Sequence, residues 1–433
     1  MKTKNEKGMV NMKIATLMAL LFSALVFVLT TAGCHKGGNK LDSQITAKLD
    51  STRQAGYPVT PAEHNDWYAE PPAAENATSL YLQAFEALVP NDSKTMSPTF
   101  LTKNQKTLEL LHQAASLKKC RYPADLGQGV NVTLPHLPKL KECALLLLQS
   151  TESHATKGQM DLVAQSILDG LRLARSLEDE PILISSMMLI AAEAMAQKSV
   201  EAALNRKSLS DEQLVRLQAA FNEAEKGIPL TRVLAGERCN GIAAFQGPPE
   251  DLAKAMNLLS GNSGTIDLIA HRKSPAFQQD YLFYLDQMEQ AVSMSTLPYP
   301  KSLEGLSEWD SKLNEAKTKG YSISGIFLPA IKLSMERIGS AVARMRMASA
   351  ALAIERYRVA HANALPDSLS QLTPQFLDAV PADPFDGQPL RYAKLSPRGF
   401  TVSSIGRNRT GDGKPKSLNP LDVAFELKFV MRR

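Results

Sequence analysis

Nucleophiles, acids, bases and metal donors are thinly spread along this chain of 433 residues. Its histidines are His35, His64, His112, His136, His154, His271 and His361. No His-x-x-x-His pair and no compact Cys/His group occurs among them, so the sequence predicts no structural zinc site. His136 and Cys143 are spaced to share a helix face, but Pro138 between them points to a loop. No phosphate-cradling glycine loop joins a strand to a helix, and no Gly-x-Ser-x-Gly elbow is present. Glu193 lies inside the apolar run Ile190 to Met195. A carboxylate buried there can act as an acid, yet pairing with a neighbouring helix or reaching the bundle surface is the expected use. Asp383 and Asp386 are flanked by Pro384 and Gly387, which points to turn stabilisation rather than catalysis. Of the four cysteines, Cys120 and Cys143 can pair in an oxidising compartment and leave Cys239 free. Alternatively all of these are small buried side chains.

The N-terminus carries Lys2, Lys4, Lys7 and Lys13 against a single acid, Glu6, and an uncharged stretch rich in Leu, Val, Phe and Ala then runs from Ile14 to Gly33. Those are the basic and apolar regions of an export signal, and the apolar part is also long enough to span a bilayer. The next residues are Thr31-Ala32-Gly33-Cys34. They resemble the lipobox of bacterial lipoproteins, with Thr31 where that motif usually has Leu. The resemblance implies acylation of the Cys34 thiol and cleavage just before it; the other reading is an uncleaved membrane helix. In both, the bulk of the chain is expected outside the cytoplasm and held at a membrane by its N-terminus.

Charged residues at 21% and a net charge of +5 give no footprint for nucleic acid. Four regions are expected: 1–33 as signal or anchor, 34–75 as tether and extended segment, 76–320 as a helical domain, and 329–433 as a C-terminal module. The class is mainly α, an antiparallel helical bundle or solenoid-like body with a small α+β module. Asn76-Ala77-Thr78 reads as a capped helix start ended by Pro90. Leu162, Val163, Ile167, Leu171 and Ala174 recur at helical spacing after Gly158, and the apolar run after Pro181 reads as the buried centre. Ser210 reads as a cap for the helix carrying Leu214, Leu217 and Phe221. The succession is similar in layout to tetratricopeptide helix pairs, without their repeat period. Pro329 reads as the first residue of a long helix whose apolar seam includes Met335, Ile338, Val342, Met345 and Leu352, with its arginines mostly elsewhere on the wheel.

Beyond that helix come the turn segment from Val380 to Pro389 and strand-like runs at 390–395, 399–405 and 423–430. Long helix, Leu365-Pro366, Asp383-Pro384-Phe385-Asp386-Gly387-Gln388-Pro389-Leu390-Arg391-Tyr392 and Gly399-Phe400-Thr401-Val402-Ser403-Ser404-Ile405-Gly406 together resemble the globular part of type II secretion major pseudopilins. That likeness implies docking on secretion or pilus-type machinery, and calcium in the following loop, at Asn408, Asp412 and Asp422. Arg407 and Arg409 oppose a cation there, and Asn, Asp and Gly in that loop also suit a solvated turn. This chain departs from the family at its membrane segment, which lacks the pilin-type Glu and lies far upstream of the module. Glu75-Asn76-Ala77 and Leu171-x-Leu173-Ala174-x-Ser176-Leu177 resemble stretches of helical envelope proteins from planctomycete-type bacteria, a likeness that implies no function. The leading expectation is a membrane-anchored envelope scaffold or interaction protein, more a non-enzyme than an enzyme. The alternative is an envelope hydrolase or ligand-binding lipoprotein whose site is assembled from distant residues.

Overall fold

The computed structural model describes residues 36–90, 98–227, 229–248, 250, 274–395, 399–407 and 428–432. Cys34, the stretch before it, and Asn408, Asp412 and Asp422 lie outside the described residues. Among the described residues no helix is long and apolar enough to cross a membrane. In chain order the helices are α1 (Lys36–Gln54), α2 (Pro61–Trp67), α3 (Thr78–Ala87), α4 (Pro98–Lys103), α5 (Gln105–Ala114), α6 (His136–Lys157), α7 (Met160–Arg175) and α8 (Leu183–Arg206). They continue with α9 (Asp211–Lys226), α10 (Leu230–Gln246), α11 (Pro275–Ser295), α12 (Lys301–Glu304), α13 (Leu306–Thr318) and α14 (Ser322–Ala360). Three short strands, β1 (Arg391–Lys394), β2 (Phe400–Ser403) and β3 (Lys428–Met431), form one antiparallel sheet in the order β1-β2-β3. The protein is thus mainly helical, with a small antiparallel sheet near the C-terminus.

Local chemistry sets several helix ends. Ser210 accepts the Gln213 N–H, and the Gln213 side chain returns the bond to the Ser210 N–H, closing a capping box on α9. Asn76 Oδ1 accepts from the Thr78 N–H at 3.0 Å to start α3. Gly158, at φ 73°, ends α6 in the left-handed conformation that costs glycine least. Two prolines sit differently from the sequence reading. Pro138 lies inside the first turn of α6, where its missing N–H would have had no helical partner. Pro329 does not open the long helix, which starts at Ser322 and carries Pro329 inside. The start is fixed instead by Asp280 on α11, whose carboxylate accepts the N–H groups of Ile323 and Ser324 at 3.0 and 3.1 Å.

The long helix is the spine of the molecule. It packs on α8, α9, α11 and α13 and on strands β2 and β3. Residues 338–345 and 347–355 of α14 are buried without a break, so the helix is covered all round rather than along one seam. Gly339, Ser340, Ala341, Ala343, Ala348, Ser349, Ala350 and Ala351 are small enough to let neighbours approach from every side. The arginines among them take two routes. Arg346 and Arg356 reach out to Glu225 and Asp211 on α9 at 2.8 and 3.0 Å, whereas Arg344 stays inside, 2% exposed. Phe400, Val402 and Met431 of the sheet share one apolar cluster with Leu217 and Phe221 of α9 and Met335 and Ile338 of α14. The core therefore runs through 320–329 without a gap. A second cluster joins α3, α5, α6 and α8 through Tyr81, Phe85, Leu111, Leu140, Leu147 and Ile190. The helix α6 touches both α7 and α8, and these helices pack together as a bundle.

Candidate functional site

The C-terminal part of α5, one face of α7 and the outer face of α9 enclose a cleft of about 850 Å³, within the range of small-molecule sites. The position of α7 comes from its apolar stripe: Val163, Ile167, Leu171 and Ala174 are buried in the bundle, which turns Gln165, Asp169 and Arg172 towards the cleft. From α5 comes His112, and from α9 come Arg216 and Glu223. Leu168, Leu171, Ala219 and Ala220 supply apolar lining.

His112 Nδ1 lies 3.3 Å from both carboxylate oxygens of Asp169. The Asp169 side chain is 6% exposed and that of His112 57%, so a buried acid holds an accessible imidazole. Gln165 Nε2 donates to Asp169 Oδ1 at 2.9 Å and fixes the carboxylate in turn. Burial raises the Asp169 carboxyl above its ordinary range, while the bonds from Gln165 and His112 pull it back. With Nδ1 turned to Asp169, Nε2 has no hydrogen-bond partner among the described residues, on a side chain that lines the cleft. Arg175 is already engaged, by Glu178 at 2.7 Å and Glu223 at 3.5 Å. Arg172 and Arg216 are not: among the described residues neither guanidinium makes a hydrogen bond or ion pair, and both line the cleft. A forked cation with no internal acid is suited to phosphate or carboxylate from outside.

The residues singled out from sequence are mostly structural. Cys120 and Cys143 do not pair; both are free, buried thiols, as is Cys239. The Cys120 Sγ lies against Thr78 Oγ1 at 3.3 Å, and Cys143 faces inward from α6 with no exposure. Burial pushes each of these three thiols up to about 12, which leaves them unreactive. Asp383, fully buried, organises the turn segment as expected: its carboxylate accepts from Phe385 N–H at 3.1 Å, Ser404 Oγ at 2.9 Å and Ile405 N–H at 2.7 Å. Arg391 bridges Asp383 to Asp386. His136 and Cys143 share α6, but His136 bonds to Glu180 at 3.1 Å. Glu180 also accepts from Ser185 Oγ and, at 3.3 Å, from Tyr68 OH, while the Tyr122 ring stacks on His136 at 4.3 Å. With Glu180 at 0% and His136 at 3% side-chain exposure this cage is sealed, and it braces α2 and α6 against the 176–186 turn.

Glu193 is the exception. It is 0% exposed, and neither carboxylate oxygen has a hydrogen-bond partner among the described residues. Burial drives its carboxyl up to about 8 against the pull of Arg175 and Arg344, and burial lowers the Arg344 guanidinium to about 10. No cleft reaches it among those described, which makes it a buried core acid rather than a substrate acid.

The cleft was not foreseen in the sequence. Gln165, Asp169 and Arg172 were legible as a polar stripe on an amphipathic helix, but their partner His112 stands 57 residues from Asp169. No family model, no curated protein and no solved structure matches the chain.

Proposed function

We propose that this chain is a membrane-held envelope protein whose helical body binds an anionic small molecule in the cleft between α5, α7 and α9. The observation that carries the reading is the pair of guanidinium groups, Arg172 and Arg216, that line one cleft with His112 and have no acid of their own. A scaffold needs no such arrangement, because exposed arginines on a packing surface are better placed in pairs with acids, as Arg356 is with Asp211. The envelope location rests on the N-terminal lysines, the apolar stretch and Cys34. Binding rather than turnover is the role supported, because the Ser116 hydroxyl in the cleft is spent on the Gln113 carbonyl at 2.7 Å and does not meet His112.

The test is thermal unfolding against phosphate, pyrophosphate and dicarboxylates. A ligand at a hundredfold excess over its Kd stabilises the fold by about 2.7 kcal/mol. The double variant Arg172→Gln and Arg216→Gln should lose that shift, while keeping the unliganded midpoint because neither side chain braces the fold. No shift with any anion, or an undiminished shift in the variant, sinks the reading.

A further inference from the structure

The same cleft says more about the ligand than its charge. An ion of the size of phosphate held between Arg172, Arg216 and His112 would leave most of the roughly 850 Å³ to water. Part of the remaining lining is apolar, with Leu168 and Leu171 on α7 and Ala219 and Ala220 on α9. Leu171 is 2% exposed and belongs to the main core, and Leu168 and Ala220 pack against that core. These residues give a firm apolar wall continuous with the bundle interior. Two of the acidic side chains in the cleft are already engaged: Asp169 serves His112 and Gln165, and Glu223 lies 3.5 Å from Arg175. An alkyl chain asks for no acceptor.

Resting on the anion-binding reading above, we propose that the cleft takes an anionic amphiphile, a phosphate head carrying an alkyl chain. The head lies at Arg172, Arg216 and His112, and the chain lies along Leu168, Leu171, Ala219 and Ala220. Two free guanidinium groups match the double charge of a phosphate monoester better than the single charge of a fatty carboxylate. Such a ligand comes either from a phospholipid or from a single-chain metabolite, and both share this chemistry.

The experiment is calorimetric titration of the full chain with inorganic phosphate and with butyl, hexyl and octyl phosphate, all below micelle-forming concentrations. A buried methylene tightens binding by about two- to fourfold in a partly open cleft, so octyl phosphate, four methylenes longer, should bind roughly 16- to 250-fold tighter than butyl phosphate. Leu168→Asn should flatten that slope, with octyl phosphate losing more affinity than butyl phosphate. Arg172→Gln should weaken every member by a similar factor. Dihexanoyl phosphatidate separates the sources: tighter binding than hexyl phosphate marks a two-chain lipid, and weaker binding marks a single-chain ligand. If all alkyl phosphates bind no better than phosphate itself, the amphiphile assignment is overturned and the anion cleft stands. If none binds, phosphate included, the anion cleft itself fails.

Discussion

Replacing Glu193 by Gln tests how the core of this protein tolerates a carboxyl group. The side chain keeps its size and polarity but can no longer ionise. In the folded chain the Glu193 carboxyl is raised from 4.5 to about 8 by burial. At pH values between these limits the folded state holds a proton that the unfolded state has released. The unfolded state therefore binds fewer protons, and stability falls as pH rises through this window. Below about pH 4.5 the penalty is absent, and above about pH 8 it is complete. The full span corresponds to about 5 kcal/mol, a large fraction of the 5–15 kcal/mol typical of a folded domain. Urea unfolding followed by far-ultraviolet circular dichroism at pH 5 and pH 9 reads it directly. At pH 5 the wild-type chain and Glu193→Gln should unfold at similar urea concentrations, because an amide replaces a protonated acid. At pH 9 the variant should be the more stable by several kcal/mol. Other titrating groups affect both chains alike and cancel in the difference. If that difference is the same at the two pH values, Glu193 is not a raised, buried acid and the reasoning is wrong.

Other outcomes follow from single contacts. Asp383→Ala removes the acceptor for Phe385 N–H, Ser404 Oγ, Ile405 N–H and Arg391, and should cost about 3–5 kcal/mol in denaturant unfolding; a loss below about 1 kcal/mol would show that the turn does not depend on it. Gly236 on α10 faces the backbone of Pro181, and a methyl group there would sit 1.9 Å from the Pro181 carbonyl oxygen and 2.8 Å from His64 Nε2. Gly236→Ala should therefore destabilise by about 1–3 kcal/mol and disturb the 3.2 Å bond between His64 and Pro181; a midpoint equal to wild type would mean the contact is looser than described. Metabolic labelling with a fatty acid should tag the protein, and Cys34→Ala should abolish the tag; an unlabelled wild-type chain that stays in the membrane points instead to an uncleaved helix.

By itself the sequence determined the features that depend on residues near one another in the chain. The Asn76, Gly158 and Ser210 helix signals, the buried stripe of α7 and the hairpin after Pro389 all follow from periodicity and capping chemistry. Asp383 was legible as a turn organiser because most of its partners lie close by, from Phe385 to Ile405. Tertiary structure decided the rest. Proline marks a possible helix start, but only Asp280, 43 residues before Ile323, sets the start of α14 at Ser322. Small residues allow close packing on every face, yet which helices fill those faces depends on the whole bundle. The cleft is the clearest case. Helical spacing places Gln165, Asp169 and Arg172 on one face of α7, and the packing of α5 and α9 against it brings His112 and Arg216 to the same space. No local rule links these segments, because the free energy that joins them is the burial of apolar faces on the opposite side of each helix. The chemistry of the cleft is thus a consequence of the core behind it.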